Sequence, residues 1–214
     1  MEPEIKKRTF KQLSDNFLKF ELGLSRVTES KFLLNWINLA EKQEVNSDEE
    51  LMLKRFQRTL ITRSATWNEY ELTEWFIGPV MAMIEFNTDA ISLFAQHEIS
   101  AQVKHCFLSG RPDALIAKGI NEPIVPYFCF SEYKRQTDPD GNPLTQLLGA
   151  MITAQALNNN ERPIYGIYVI GKTWWFVTLD DNHWCESKSF SADDEELFTI
   201  FCMLKALKEI ILGF

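Results

Sequence analysis

The sequence predicts an α+β protein: a mixed β-sheet flanked by helices, with a helical layer at the N-terminus. Three observations predict it. Apolar residues recur at helical spacing through the first 65 residues and again after residue 143 and at the C-terminus. Between residues 91 and 190 they fall instead into short β-prone runs. No repeat, low-complexity segment or linker divides the 214 residues, of which 45% are apolar, so one domain with a helical addition is the economical architecture. The boundary is expected near residue 66, with an N-terminal helical extension (1–66) packed on a core (67–214).

Each element has its own signal. Phe10, Leu13, Phe17, Leu18 and Phe20 form a first helical stripe, interrupted by Gly23. Phe32, Leu33, Trp36, Ile37 and Ala40 form a second. Ser47 with Glu50 reads as a capping box opening a third helix, Leu51 to about Arg63. Thr66 with Glu69 repeats the signature and opens a fourth over about 67–86, with Pro79 predicting a kink or an early end. Ile91 to Ala101 and Gln102 to Phe107 are β-compatible, Asp113 to Ala117 is a short strand, and Ile124 to Tyr133 is a dense apolar and aromatic one. The loop Asp138 to Pro143 follows, and Asn142 and Pro143 are suited to cap and start a helix over about 144–158. Ile164 to Ile170, Thr173 to Leu179 and His183 to Phe190 read as strands, and Ser191 with Asp194 as the cap of a last helix, about 193–212.

Composition excludes some classes. No apolar run approaches the ~18 residues of a membrane span. Met1-Glu-Pro-Glu-Ile-Lys-Lys-Arg lacks the apolar core of a secretory signal. The cysteines, Cys106, Cys129, Cys185 and Cys202, are far apart without zinc spacing and read as reduced packing residues, so a cytoplasmic location is expected. The net charge of −8 argues against a domain that coats DNA with positive charge. That charge is uneven: +2 over residues 1–66, −4 over 67–135 and −6 over 136–214. Part of the acidity is what a metal site requires, and the N-terminal helices stay near neutral.

One nucleotide motif is set aside. Gly166-Ile-Tyr-Val-Ile-Gly171-Lys172-Thr173 satisfies the phosphate-loop expression G-x-x-x-x-G-K-T. That loop must wrap phosphate between a strand and a helix, whereas here the intervening residues read as a strand and Thr173 onward as another. Gly171-Lys172 fits a tight hairpin.

The residues that carry chemistry are Gly110-Arg-Pro-Asp113 and Ser131-Glu-Tyr-Lys134. Alternation on a strand puts Glu132 and Lys134 on one face with Phe128 and Phe130, and Tyr127, Cys129 and Tyr133 on the other. Ending a strand apolar on both faces with a carboxylate and an ammonium is costly unless they have partners. If the strand begun by Asp113 is its neighbour, Asp113 and Glu132 converge on one cation. A hard ion such as Mg²⁺ (or Mn²⁺) takes oxygen ligands, here two carboxylates and the Tyr133 backbone carbonyl, and keeps water. Such an ion acidifies a water and stabilises charge on phosphate, with Lys134 beside it as a point charge.

Pro112-Asp113 followed by Glu132-x-Lys134 resembles the PD-(D/E)XK nuclease superfamily, of restriction-endonuclease-like fold. The helix Gln146-Leu-Leu-Gly-Ala-Met151 is similar to the glutamine-bearing helix of many members. Pro163 through Leu179, with its Gly171 hairpin and Trp174-Trp-Phe176, is similar to a β-hairpin of several branches. Asn68-Glu69 through Phe76-Ile-Gly-Pro79 resembles the helix that opens the core in relatives of type I restriction subunits, where a helix glutamate joins the metal site. The resemblance covers about residues 67–190. It implies Asp113 and Glu132 as metal ligands, Lys134 as the catalytic lysine, Gln146 as an accessory group, and Glu69 as the helix carboxylate with Glu71 as rival.

The expected function is therefore Mg²⁺-dependent hydrolysis of phosphodiester bonds in nucleic acid, DNA being the expected substrate, with Arg111, Arg135 and Lys172, and also Lys104 and Lys118, as the cations nearest the site for phosphate contact. The competing class is a nuclease fold kept without catalysis as a scaffold for protein or nucleic-acid binding. Partners other than substrate are a second copy, as in nucleases that pair to cut two strands, or a protein met through the N-terminal helices; no membrane is expected. His97, His105 and His183 have no ligand spacing, and of Trp174 and Trp175, which face opposite ways, at most one is free to stack on a base.

Overall fold

A computed structural model describes residues 6–136, 141–159 and 161–214; the tip of the loop begun at Asp138 and the segment Met1 to Ile5 lie outside the described residues. Along the chain come β1 (Lys6–Thr9), a 3-10 turn (Phe10–Gln12), a π-helical turn (Phe17–Glu21), β2 (Ser25–Arg26), α1 (Lys31–Ala40) and α2 (Ser47–Arg63). Then α3 (Glu69–Leu72) runs through a π-helical stretch (Thr73–Ile77) into α4 (Gly78–Ala82). The strands β3 (Ile91–Ala95), β4 (Ile99–Val103), β5 (Cys106–Gly110), β6 (Ala114–Lys118) and β7 (Ile124–Lys134) follow. After α5 (Pro143–Leu157) come β8 (Ile164–Ile170), β9 (Thr173–Asp180), β10 (His183–Glu186), β11 (Phe190–Ser191) and α6 (Glu196–Leu212).

The architecture is mixed α+β. The main sheet has the order β2-β10-β9-β8-β7-β6-β3, with β11 joined to β9, and a smaller sheet has the order β1-β5-β4. β7 and β8 are parallel, linked through α5, while β6 and β9 flank them antiparallel. One face of the main sheet packs against α1, α3, α4 and α6 through Tyr133, Tyr165, Val169, Trp174 and Phe176. The other, bearing Phe130, Tyr168 and Val177, is covered by α5, the small sheet and the segment Phe10 to Leu24.

Several expectations are corrected. The first stripe is not one helix: Lys6–Thr9 pairs in parallel with Cys106–Ser109, and Phe10 and Leu13 descend onto α5, where a Cβ on Gly149 would meet Leu13 Cδ1 at 2.3 Å. The N-terminal 66 residues thus supply a strand to each sheet as well as helices. Both capping boxes are shifted. Asn46, not Ser47, caps α2 with Glu49, and Asn68, not Thr66, caps α3 with Glu71. Asparagine is as good a cap as serine and better than threonine, so the closer amide acceptor prevails. The helix through Pro79 ends early, as its proline suggested: a π-helical stretch closed by Gly78 N–H to Thr73 O precedes the proline, and the helix stops at Ala82 rather than near residue 86. The region Ile91 to Phe107 makes three strands rather than one continuous run, with left-handed turns at Gln96 (φ 52°) and Lys104 (φ 55°). A bulge where Ile116 pairs Cys129 but Ala117 pairs Tyr127 turns Phe128 to the α6 side and Tyr127 toward Phe130, the reverse of strict alternation. Finally, Ser191 pairs Thr173 in the sheet instead of capping, and α6 starts at Glu196, whose N–H is taken by Asp194.

Other elements are as expected. Ser30 accepts from Leu33 N–H to start α1, and Trp36, fully buried, donates from its indole to Met203 O at 2.7 Å. Asn142 caps α5, with Pro143 in its first turn. Gly171 (φ 58°) and Lys172 form a two-residue hairpin between β8 and β9, so no helix N-terminus follows the phosphate-loop lookalike. Among the described residues no helix is long and apolar enough to cross a membrane.

Candidate active site

β7 lies between β6 and β8, and register decides what meets at its end. Ala114 pairs Ser131, so Asp113 stands opposite Glu132. Alternation then sets Asp113, Glu132 and Lys134 on the face carrying Phe130 and Tyr168. The three line one cavity of about 430 Å³. Glu69 and Gln146 line it too, the first brought by α3 over the strand end and the second by the first turns of α5.

Glu132 is the electrostatic oddity. It is 4% exposed, and among the described residues its carboxylate has no hydrogen bond and no cation within 4 Å. Burial, then the neighbouring Asp113 charge, pushes its pKa well above the usual carboxylate range, with Lys134 opposing. Burial likewise raises Asp113, against the Tyr133 N–H that donates to Asp113 Oδ2 at 2.7 Å and against Lys134. The N–H and C=O of one strand residue point the same way, so the Tyr133 carbonyl faces the Asp113 side as well. Lys134, 5% exposed, reaches Glu69 Oε1 at 3.4 Å.

The shifted cap separates the two rival glutamates. Glu71 Oε2 accepts from Asn68 N–H at 2.9 Å and is held in the capping box. Glu69, one position inside the helix, is outside that box and pairs with Lys134. Of the expected phosphate contacts, Arg111 lines the cavity, 3.5 Å from Glu98. Lys172 does not line it; the hairpin turns it onto Asp193 Oδ2 at 3.0 Å. Arg135 follows directly on β7, half-buried. Gln146 is 4% exposed, and its amide makes no hydrogen bond with the described residues.

Three lining residues escaped the sequence reading: Thr9, at the end of β1, Lys11 and Gln96. Lys11, on the 3-10 turn after β1, faces the cavity from the N-terminal segment, and its charge acts on both Asp113 and Glu132. Gln96, in its left-handed turn, is held by its N–H to Asp113 O at 3.1 Å. The only foreshadowing of Lys11 is the basic run Lys6-Lys-Arg8; Gln96 has none.

Among the described residues the one trio of His, Cys, Asp or Glu with ligand atoms mutually within 4.8 Å is Glu21, His105 and Cys106. There Glu21 Oε2 is already taken by Lys6 and by His105, each at 2.8 Å, and burial raises the Cys106 thiol. That trio is an ion-paired clasp between the N-terminal segment and β5. Glu69, Asp113 and Glu132 stand further apart than that trio does, Asp113 being drawn to the Tyr133 N–H. Their donor set nonetheless fits a hard cation: three carboxylates, the buried Glu132 among them without a partner among the described residues, beside a backbone carbonyl. Another cavity, about 700 Å³ around Gln102, Gln155 and His183, has one carboxylate in its lining, Asp181.

Neither protein-family models nor curated proteins give a match to this chain.

Proposed function

We propose that the chain is a metal-dependent nuclease of the PD-(D/E)XK type, hydrolysing phosphodiester bonds of nucleic acid, DNA first. The observation that carries this reading is Glu132: a carboxylate buried on a sheet, without a partner among the described residues, lining a cavity with Asp113 and Lys134. A buried charge left in that state is a loss to folding unless a ligand cation answers it. Asp113, Glu132 and the Tyr133 carbonyl would hold Mg²⁺ or Mn²⁺. Bound there, the ion would acidify a water and neutralise charge on the phosphate.

The chain's own groups do the rest. The Lys134 ammonium, oriented by Glu69, offers donors to the phosphate oxygens as negative charge builds on them. Arg111 and Lys11 bind the flanking phosphates from the cavity rim. The Gln146 amide, in the same cavity, would orient the attacking water.

One observation favours the second reading, a scaffold that binds without cutting: an oxygen of Asp113 is engaged by the Tyr133 N–H. The experiment that separates them is cleavage of plasmid and of single-stranded DNA in Mg²⁺ or Mn²⁺, wild type against Lys134→Ala. Cleavage that needs the cation and falls at least a hundredfold in the variant supports the enzyme. Equal activity in both means that the cutting comes from elsewhere. Absence of cleavage with retained DNA binding supports the scaffold.

A further inference from the structure

A second cavity, about 550 Å³, adjoins the first and shares Glu69, Gln96 and Asp113 with it. The two differ in charge. Lys11, Arg111 and Lys134 line the first, whereas no lysine or arginine lines the second. The second is bounded instead by Tyr70, Thr73 and Glu74 of the α3 turn and its π-helical continuation. Tyr70 is 74% exposed, and its ring has no aromatic or cationic neighbour among the described residues.

We infer that Tyr70 is a stacking platform for the nucleobase flanking the scissile phosphate, so that the substrate is a single strand or a locally unpaired end. This rests on the nuclease reading above. Charge sorts the strand: phosphates are drawn to the side of Lys11 and Arg111 and repelled from Glu74, so the side without cations receives an uncharged base. An exposed aromatic ring binds such a base by its face, which is available only when the base is unpaired or splayed out. Each cavity has the volume of one small-ligand pocket, the scale of a nucleotide and not of a duplex. Asp113, in the wall common to both, sets where along the strand the cut falls.

The test is single-turnover cleavage of a single-stranded oligonucleotide, of its duplex, and of single strands carrying one abasic position beside the cut. The wild type is expected to prefer the single strand, and Tyr70→Ala to lose roughly 5- to 150-fold in kcat/KM on it. Tyr70→Phe keeps the rate, because stacking needs the ring and not the hydroxyl. The abasic strand lowers wild-type cleavage by the same factor and costs Tyr70→Ala nothing further. Trp75→Ala, which removes an exposed ring 58% accessible on the same helix but outside both cavities, leaves the rate unchanged. Cleavage by the wild type that is indifferent to Tyr70→Ala, or equal losses on the abasic strand in both proteins, overturns the stacking role alone. Cleavage by no form of the protein overturns the nuclease reading, and the stacking role with it. Unchanged melting temperatures of the Tyr70 variants show that the fold is intact.

Discussion

Removing the charge of Glu132 while keeping its shape should stabilise the metal-free protein. Glu132→Gln is close to isosteric and cannot ionise. The Gln amide is still a buried polar group, so the gain at neutral pH is only the extra cost of burying a charge, about 1 kcal/mol or more. For a chain of this size each kcal/mol moves the melting temperature by roughly 2–4 °C, so the melt should rise by at least about 2 °C. The pH dependence has a definite sign. The folded-state pKa of Glu132 is raised, so protonation favours the fold and its stabilising effect is full below the unfolded value, about 4.3. As pH rises, the unfolded carboxyl releases its proton first, and the wild type loses stability until the folded group ionises too. The gap between variant and wild type should therefore be small near pH 4 and widen toward neutral pH. Thermal melts of both proteins across that range, without and with Mg²⁺, read it directly. The cation should raise the wild-type melt and leave Glu132→Gln nearly unmoved, since ligand binding to the folded state adds stability only where the site binds. A variant that melts at or below the wild type at pH 7, with a gap that does not change with pH, would refute the picture of a frustrated carboxylate.

Three further outcomes are expected. Glu69→Gln should lower cleavage at least tenfold by freeing Lys134, while Glu71→Ala should leave activity alone and cost roughly 0.3–1.5 kcal/mol through the cap; paired rate and melting measurements distinguish them, and the opposite pattern would exchange their roles. Trp36→Phe deletes the buried indole bond to Met203 O and should destabilise by about 1–3 kcal/mol in urea unfolding, with the m-value unchanged. ATP should show no calorimetric binding to the wild type or to Lys172→Ala, because Lys172 is paired with Asp193 at the tip of a hairpin; binding lost on that substitution would restore the phosphate-loop reading.

What could be read from the sequence was what local chemistry decides alone. The Ile124 to Lys134 strand, the Asn142-Pro143 helix start and the Gly171 hairpin each carry their own signal and needed no distant partner. The charged end of a strand otherwise apolar on both faces singled out Glu132 and Lys134 for the same reason. Where two side chains competed for one role, a position or two was lost: Ser47 against Asn46, Thr66 against Asn68. That small slip bore on the site, because it tied Glu69 to a cap that in fact belongs to Glu71. The Phe128 bulge was illegible, since one extra residue leaves no mark in an all-apolar run. β1 was illegible for the opposite reason. Lys6-Lys-Arg-Thr9 is exposed throughout and owes its strand form to an edge supplied by Cys106–Ser109. With β1 went Lys11, whose place at the cavity follows from that docking.

The same docking has a kinetic consequence. The cavity draws its walls from Lys11, Glu69, Asp113, Glu132 and Gln146, and Lys6 finds its strand partner only at Cys106. Trp36 waits longer still, for Met203. Closing loops of that length before any contact rewards them makes for slow, high-contact-order folding. During synthesis the acids and the lysine therefore emerge one by one, and no partial chain short of α5 holds them together. The cavity therefore closes late, with Lys6–Thr9 settling only once β5 is made.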